Sequence, residues 1–184
     1  MLPIQMVDLQ SQYRQLKKEL DARVIGCIES GAYIQGPEVK SFEADLGKYL
    51  DDAHVIACAN GTDALQIALM ALELDPGDEV IVPSFTFVAS VEVIALLGLK
   101  PIVVDVDPRS FLLKIEDIEA SLSPRTKAII PVHLFGQCVN MKALMAIAKN
   151  RDLFVIEDNA QSIGARCIAT GDAKEMSGTI GHIG

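Results

Sequence analysis

An acidic and an amide side chain follow an apolar stretch near the end of the chain. Asp158 comes directly after the run Leu153–Glu157, and Gln161 follows three residues later. Parallel strands that are buried on both faces read as apolar runs, and ligands of open α/β sheets bind beyond the carboxyl ends of the strands. A carboxylate there needs a partner, because its loss of hydration is costly. The spacing predicts that Asp158 and Gln161 bind a ligand; for Gln161, an ordinary polar role at a helix start is the alternative.

The turn around Gly61 is a second candidate for ligand binding. It separates a predicted strand at 54–59 from a helical pattern at 63–74. Free N–H groups and the positive end of the helix dipole favour an anion there, Gly61 lets a ligand approach the backbone, and Thr62 adds a hydroxyl donor. We predict that this turn binds a phosphate, with helix capping by Thr62 or Asp63 as the alternative.

Two of the few aromatic residues, Phe85 and Phe87, follow the apolar run Glu79–Pro83. Either ring could stack on a planar ligand, and packing in the core is the alternative. A phosphate-binding turn, an aromatic ring and an acid at three strand ends suit a flat heteroaromatic phosphate such as pyridoxal 5′-phosphate (PLP). A carboxylate beside the pyridine nitrogen keeps that nitrogen protonated, so that the ring can accept electrons.

Strands and helices that alternate along the chain must position these side chains. Two helices, at 11–30 and after Pro37, predict a helical arm over 1–50. From residue 54, five apolar runs alternate with four helical patterns, which indicates a mostly parallel sheet. The runs are 54–59, 79–83, 101–105, 127–134 and 153–157, and the helices are 63–74, 86–97, 115–122 and 141–149. We therefore predict an α/β large domain over 51–184, incomplete at its C-terminus, with a loop at 171–184.

The composition excludes several classes of protein. A net charge of −9 repels the phosphate backbone of nucleic acids. No uncharged run approaches the ~20 residues of a membrane span, and the N-terminus lacks a secretion signal. We therefore expect a cytoplasmic protein with no nucleic-acid or membrane partner. Four widely spaced cysteines form no Cys-x-x-Cys pair, so we expect reduced thiols and no metal site.

Several motifs, taken together over 3–184, resemble the DegT/DnrJ/EryC1/StrS sugar aminotransferases. The matching segments are Ser30–Glu38, Asn60–Leu65, Pro76–Phe87, Arg125–Gly136 and Glu157–Gln161. The resemblance implies a PLP cofactor, a homodimer and the large domain of PLP-dependent transferases (aspartate aminotransferase-like, fold type I). It also implies transfer of an amino group, with glutamate as the expected donor, to a nucleotide-linked keto sugar in surface polysaccharide or related amino-sugar biosynthesis.

The resemblance assigns roles to individual residues. The implied cofactor contacts are Gly61 and Thr62 with the phosphate, Phe87 with the ring face, Asp158 with the ring nitrogen and Gln161 with the ring oxygen. Tyr33 would line the substrate site, with a purely structural role as the alternative. His133 ends a strand, and we favour a structural histidine there over an acid–base role.

The resemblance places the Schiff-base lysine shortly after the glycine-rich segment Ser177–Gly184, with a smaller domain beyond it. We therefore expect neither in this chain, and no transamination by these 184 residues alone. Lys174 precedes the segment in a polar stretch that predicts an exposed loop, where a lysine keeps its proton and is a poor nucleophile.

Two other functions stay open. One is a catalytically inactive or regulatory protein of the same fold. The other is a nucleotide-sugar dehydratase or epimerase, which the missing Gly-x-Gly-x-x-Gly fingerprint disfavours; a Gly-x-x-x-x-Gly-Lys-Ser/Thr loop is also missing, which disfavours a nucleoside triphosphatase.

Overall fold

The computed structural model describes residues 7–168 and 174–184. The chain falls into two compact units, divided between Ala57 and Cys58. The first unit is helical, and the second contains a parallel sheet with helices on both faces. Within the described ranges, no helix has the length and apolar character of a membrane span. The division into an arm at 1–50 and a domain at 51–184 stays a prediction.

The two predicted N-terminal helices are confirmed as α1 (Leu9–Ser30) and α2 (Pro37–Tyr49). The side chain of Asp8 caps α1 by accepting a 2.9 Å hydrogen bond from the N–H of Ser11. Gly31 ends α1 at a φ of 65°, a left-handed conformation that suits glycine because it has no Cβ. The helix α2 begins with proline, which fits the first helical position because its missing N–H would have no partner there.

The predicted strand at 54–59 does not form. Side chains at 53–57 alternate between half-buried and exposed, and Ile56 is 83% exposed. The N–H of Ala57 donates to the carboxylate of Glu43 at 2.8 Å. A strand needs a backbone neighbour about 4.8 Å away, and none of the described residues pairs with this segment. The apolar pattern indicates a half-buried segment here, but it cannot supply a partner.

The second unit contains a four-stranded parallel sheet in the order β2-β1-β3-β4. Its strands are β1 (Glu79–Pro83), β2 (Lys100–Val104), β3 (Thr126–Ile129) and β4 (Phe154–Val155), and its helices are α3 (Gly61–Ala71), α4 (Ala89–Leu96), α5 (Ile115–Ser121) and α6 (Met141–Arg151). The predicted α/β class is therefore confirmed. The strands β3 and β4 are shorter than expected, but their pairing continues, because the N–H of Asp158 donates to the carbonyl of Pro131 at 2.9 Å.

Side chains of β1 pack alternately on the two faces of the sheet. Val80 and Val82 pack with α3 and α4, whereas Ile81 packs with α5 and α6. All three are completely buried, and each such burial contributes about 1.5–3 kcal/mol. The helices that follow β1 and β3 lie on opposite faces. In open α/β sheets, such a divergence opens a crevice between the two strand ends.

The predicted loop at 171–184 is wrong in part. Lys174–Met176 forms a strand, β6, which pairs antiparallel with β5 (Arg166–Ile168). Lys174 is exposed and lies opposite Ile168. Residues 171–173 lie outside the described ranges.

The expectation of four reduced thiols is contradicted by a disulfide between Cys138 and Cys167. Their Cα atoms are 5.7 Å apart, within the range that a disulfide requires. The two residues are separated by 29 positions, so only the tertiary fold brings them together. Cys27 and Cys58 are free.

Candidate functional site

A cavity of about 230 Å³ lies at the carboxyl edge of the sheet. Its walls come from the first turn of α3 and from the segments that follow β1, β3 and β4. They are formed by Gly61, Thr62, Leu65, Thr86, Phe87, Ala89, Val132, Leu134, Asp158, Ala160 and Gln161. The cavity therefore occupies the crevice between β1 and β3, and it contains all the sequence-predicted cofactor residues.

Asp158 is only 8% exposed, and two donors in the protein hold its carboxylate. Ser90 donates its hydroxyl to Oδ2 at 2.8 Å, and the N–H of Ala160 donates to Oδ1 at 3.2 Å. A carboxylate has about four acceptor positions. Two of these positions therefore remain for a donor in the cavity, and the carboxylate is already oriented before such a donor arrives.

Ser90 is a functional candidate that sequence reasoning missed. It is completely buried on α4 and also contacts the hydroxyl of Thr86, with 3.0 Å between the two oxygens. Thr86 lines the cavity, so a chain of hydroxyl groups leads from the cavity wall to Asp158. The sequence shows only a serine within an apolar helical pattern, which does not indicate that the serine binds Asp158.

The amide of Gln161 has a defined orientation. Its Oε1 accepts a hydrogen bond of 3.0 Å from the N–H of Phe135. Because the oxygen faces that donor, the NH₂ group of Gln161 is the end that can donate to a ligand oxygen. The residue lies in a turn after β4 rather than at the start of a helix, so the alternative of a helix-start residue is wrong.

Neither Thr62 nor Asp63 caps α3. Asn60 does so, because its Oδ1 accepts the N–H of Asp63 at 2.9 Å. The N–H groups of the first helical turn have no intrahelical partner, and no hydrogen bond between the described residues uses those of Gly61 and Thr62. A Cβ built on Gly61 would meet no atom within 4 Å. The turn is thus open to an anion.

Phe87 is not a core residue. Its side chain is 69% exposed and forms part of the cavity wall. Phe85 instead belongs to an exposed aromatic cluster, with its ring centroid 5.3 Å from that of Phe111. Of the two aromatic candidates, the structure therefore places only Phe87 at the cavity.

His133 is completely buried, and both of its ring nitrogens have partners. The N–H of Val139 donates to Nδ1 at 3.2 Å, which leaves the proton on Nε2, and Nε2 donates to the carboxylate of Glu157 at 2.8 Å. This geometry agrees with the structural role that the sequence favoured.

Tyr33 lies in the first unit, is 63% exposed and donates its hydroxyl to the carbonyl of Ile28 at 3.0 Å. Its role at a substrate site stays a prediction.

Glu157 is a second residue that sequence reasoning missed. Burial alone would raise the pKa of its carboxyl group, but hydrogen bonds from the His133 imidazole and from the N–H groups of Gly181 and Gly178 outweigh burial and lower that pKa. Glu157 is therefore a buried carboxylate in its charged form.

The described residues contain no cluster of three His, Cys, Asp or Glu side chains that could hold a metal ion.

The fold and the cavity define a parallel α/β protein with an open site at the carboxyl edge of its sheet. A model of the DegT/DnrJ/EryC1/StrS aminotransferase family matches residues 14–184. The chain belongs to this family. It is 51% identical over 162 residues to the UDP-2-acetamido-2-deoxy-3-oxo-D-glucuronate aminotransferase of Pseudomonas aeruginosa, an alignment that covers 88% of this chain and 45% of the relative.

Two solved structures extend the comparison. A DegT DnrJ EryC1 StrS aminotransferase from Brucella abortus matches with a TM-score of 0.89 at 45% identity, over 98% of this chain and 49% of that one. NtdA from Bacillus subtilis, solved with bound cofactor PMP, matches with a TM-score of 0.78 at 39% identity, over 82% of this chain and 34% of that one. The predicted fold type is therefore confirmed. The chain spans half the length of these relatives or less.

Proposed function

We propose that this chain binds pyridoxal 5′-phosphate and forms the cofactor-holding part of an aminotransferase that acts on a nucleotide-linked keto sugar. One observation carries the proposal: the Gly61–Thr62 turn, the ring of Phe87 and the carboxylate of Asp158 line a single cavity. Membership of an aminotransferase family and the name of the Pseudomonas relative support the reaction and the class of substrate.

The residues fit the cofactor in charge and in hydrogen-bonding capacity. The N–H groups of Gly61 and Thr62, the Thr62 hydroxyl and the dipole of α3 suit the phosphate. The free acceptor positions of Asp158 suit a protonated pyridine nitrogen, and the NH₂ group of Gln161 suits the ring oxygen. When bound, the cofactor supplies an electron-accepting ring. The chain's own residues would hold that ring, keep its nitrogen protonated and cover one face with Phe87.

The cavity has room for a cofactor but not for the nucleotide sugar as well. A cavity of about 230 Å³ lies just below the range of about 300–1,000 Å³ for small-molecule sites, which suits a cofactor ring and phosphate. A nucleotide-linked sugar needs more surface. We infer that an amino-acid donor and the nucleotide sugar bind next to the cofactor in a homodimer, and that the protein is cytoplasmic.

Cofactor binding is tested by calorimetric titration of the protein with PLP and with pyridoxamine 5′-phosphate (PMP). Asp158→Asn keeps the shape of the side chain but removes its charge. Since a hydrogen bond to a charged group contributes about 1.5–3 kcal/mol, we expect Asp158→Asn to weaken PMP binding by about tenfold or more. The variant should remain folded, because the amide oxygen can still accept the hydroxyl of Ser90, although the NH₂ group then faces the N–H of Ala160.

Asp105→Asn is the matched control. Asp105 follows β2 at the same edge of the sheet, is exposed and does not line the cavity. It should bind PMP as the unmodified protein does. If the unmodified protein bound neither PLP nor PMP, or if both variants bound PMP equally well, the proposed site would be wrong.

The transfer reaction is tested in a protein of the relatives' full length that contains these residues. Glutamate and a UDP-linked 3-keto sugar are the first pair to supply, and amino-sugar formation is followed by mass spectrometry. Asp158→Asn should lower turnover strongly in that protein. Full turnover in the variant would contradict the role given to Asp158.

A further inference from the structure

Glu157 is adjacent to Asp158 but has no part in the proposed cofactor contacts. Successive side chains of an extended strand point to opposite sides. Asp158 lines the cavity, whereas the side chain of Glu157 is completely buried. A buried charge is strongly unfavourable unless donors replace its water, so the position of Glu157 requires an explanation.

Four donors surround the Glu157 carboxylate, and three of them belong to the glycine-rich segment. The N–H of Ile180 donates to Oε1 at 2.7 Å, and the N–H of Gly181 donates to the same oxygen. The N–H of Gly178 donates to Oε2 at 3.0 Å, and the fourth donor is Nε2 of His133. The acceptor positions of the carboxylate are therefore filled.

The backbone of Glu157 holds the same segment. Its N–H donates to the carbonyl of Ile183 at 2.8 Å, and Ile183 pairs in parallel with Ile156. The N–H of His182 donates to the carbonyl of Val155 at 2.8 Å. The segment thus runs beside β4 in the same direction, towards the carboxyl edge where Asp158 lies.

The close approach of the segment depends on glycine at position 181. A Cβ there would lie 2.9 Å from the carbonyl oxygen of Val155 and 3.2 Å from Cγ of Glu157. Both distances are too short for ordinary contact. Any larger residue would move the segment away from the carboxylate.

Glu157 also reaches the cavity wall through His133. The imidazole donates to Glu157, while its residue stands between Val132 and Leu134, which both line the cavity. The Glu157 carboxylate therefore holds two parts of the structure in place: the wall after β3, through His133, and the glycine-rich segment. Glu157 is itself adjacent to Asp158.

We propose that Glu157 is a positioning residue of the cofactor site: its buried carboxylate fixes the glycine-rich segment and the wall after β3 around Asp158. The proposal rests on the proposed function, because it assigns the positioning to cofactor binding. It adds a specific dependence, in which cofactor affinity falls when hydrogen bonds on the far side of β4 are lost.

Glu157→Gln tests the dependence. The amide presents an NH₂ group to donors that converge on Oε2, so Gly178 and His133 lose their acceptor. Amide exchange measured by NMR should accelerate about tenfold or more at Gly178, and the Kd for PMP should rise by about tenfold, in line with the loss of hydrogen bonds to a charged group. Gly181→Ala displaces the segment without removing a charge, and it should show the same two effects; it serves also if Glu157→Gln does not fold.

Glu79→Gln is the matched control for loss of a buried carboxylate. Glu79 is 3% exposed and lies at the amino edge of the sheet, away from the cavity. This variant should lower the unfolding midpoint and leave the Kd for PMP unchanged below that midpoint. Faster exchange in Glu157→Gln or Gly181→Ala with an unchanged Kd would overturn the positioning role, as would unchanged exchange. Absence of PMP binding by the unmodified protein would instead overturn the proposed function, and the positioning role with it.

Discussion

The hydroxyl group of Ser90 donates to Oδ2 of Asp158 at 2.8 Å, although the two residues are 68 positions apart. Ser90 lies on α4, which follows β1, whereas Asp158 lies in the segment that follows β4. The bond therefore joins segments that follow two different strands. It means that the orientation of the acid is set from α4 and not by the acid's own strand alone.

Ser90→Ala should therefore weaken cofactor binding, although Ser90 is not among the proposed cofactor contacts. Loss of the hydroxyl leaves one carboxylate oxygen unpaired in a nearly buried place and frees the side chain to rotate. We expect the Kd for PMP to rise by about tenfold, since hydrogen bonds to charged groups contribute about 1.5–3 kcal/mol. Calorimetry measures the change.

Ser84→Ala is the control for Ser90→Ala. The hydroxyl of Ser84 donates to Asp105 at 3.4 Å in an exposed place at the same edge. Its loss should leave the Kd for PMP unchanged. Equal affinities in Ser90→Ala and the unmodified protein would show that Asp158 needs no help in its orientation.

Thr62→Val should reduce affinity for the phosphorylated cofactor alone. Valine keeps the shape of threonine but removes the hydroxyl donor at the N-terminus of α3. We expect PMP binding to weaken by about tenfold, while binding of pyridoxamine, which lacks the phosphate, should not change. The difference between the two ligands, measured by calorimetry, isolates the phosphate contact. An equal loss for both ligands would place Thr62 elsewhere in the site.

The shared position of the proposed cofactor residues could be predicted from the sequence, because each one follows a local pattern. Gly61 and Thr62 open a helix, Phe87 follows β1 and Asp158 follows β4, so the order of elements brings them to one edge. Ser90 and Glu157 were not predictable, because their roles depend on which residues lie opposite in the folded chain. The prediction of a strand at 54–59 was wrong for the same reason: the pattern indicates half-burial, but a strand requires a neighbouring backbone to pair with.

The disulfide Cys138–Cys167 makes a prediction that a thiol assay can check. In denaturant without a reductant, two thiols should react, those of Cys27 and Cys58. Closure of the 29-residue separation should contribute about 3–4 kcal/mol to the free energy of unfolding in the chain-entropy account. Cys167→Ser should therefore lower the unfolding midpoint. Four reactive thiols in protein purified without reductant would show that the pair is reduced.

Glu79 provides a pH dependence with a defined sign. Hydrogen bonds from Ser123, Lys100 and Arg125 lower the pKa of its carboxyl group from 4.5 to about 2. The folded state therefore binds the proton less readily than the unfolded state. The stabilisation is fully present above pH 4.5 and is lost as the pH falls towards 2.

The measurement compares the unfolding free energy of the unmodified protein with that of Glu79→Gln across this range. The difference in unfolding free energy should be constant at neutral pH and should shrink steadily below the ordinary pKa of a glutamate. Protonation removes the charge of Glu79, and the protonated residue then resembles the uncharged glutamine of the variant. Glu119→Gln, which changes an exposed side chain of α5, should show a small and flat difference. A flat difference for Glu79→Gln as well would mean that its partners at the amino edge do not favour the charged form.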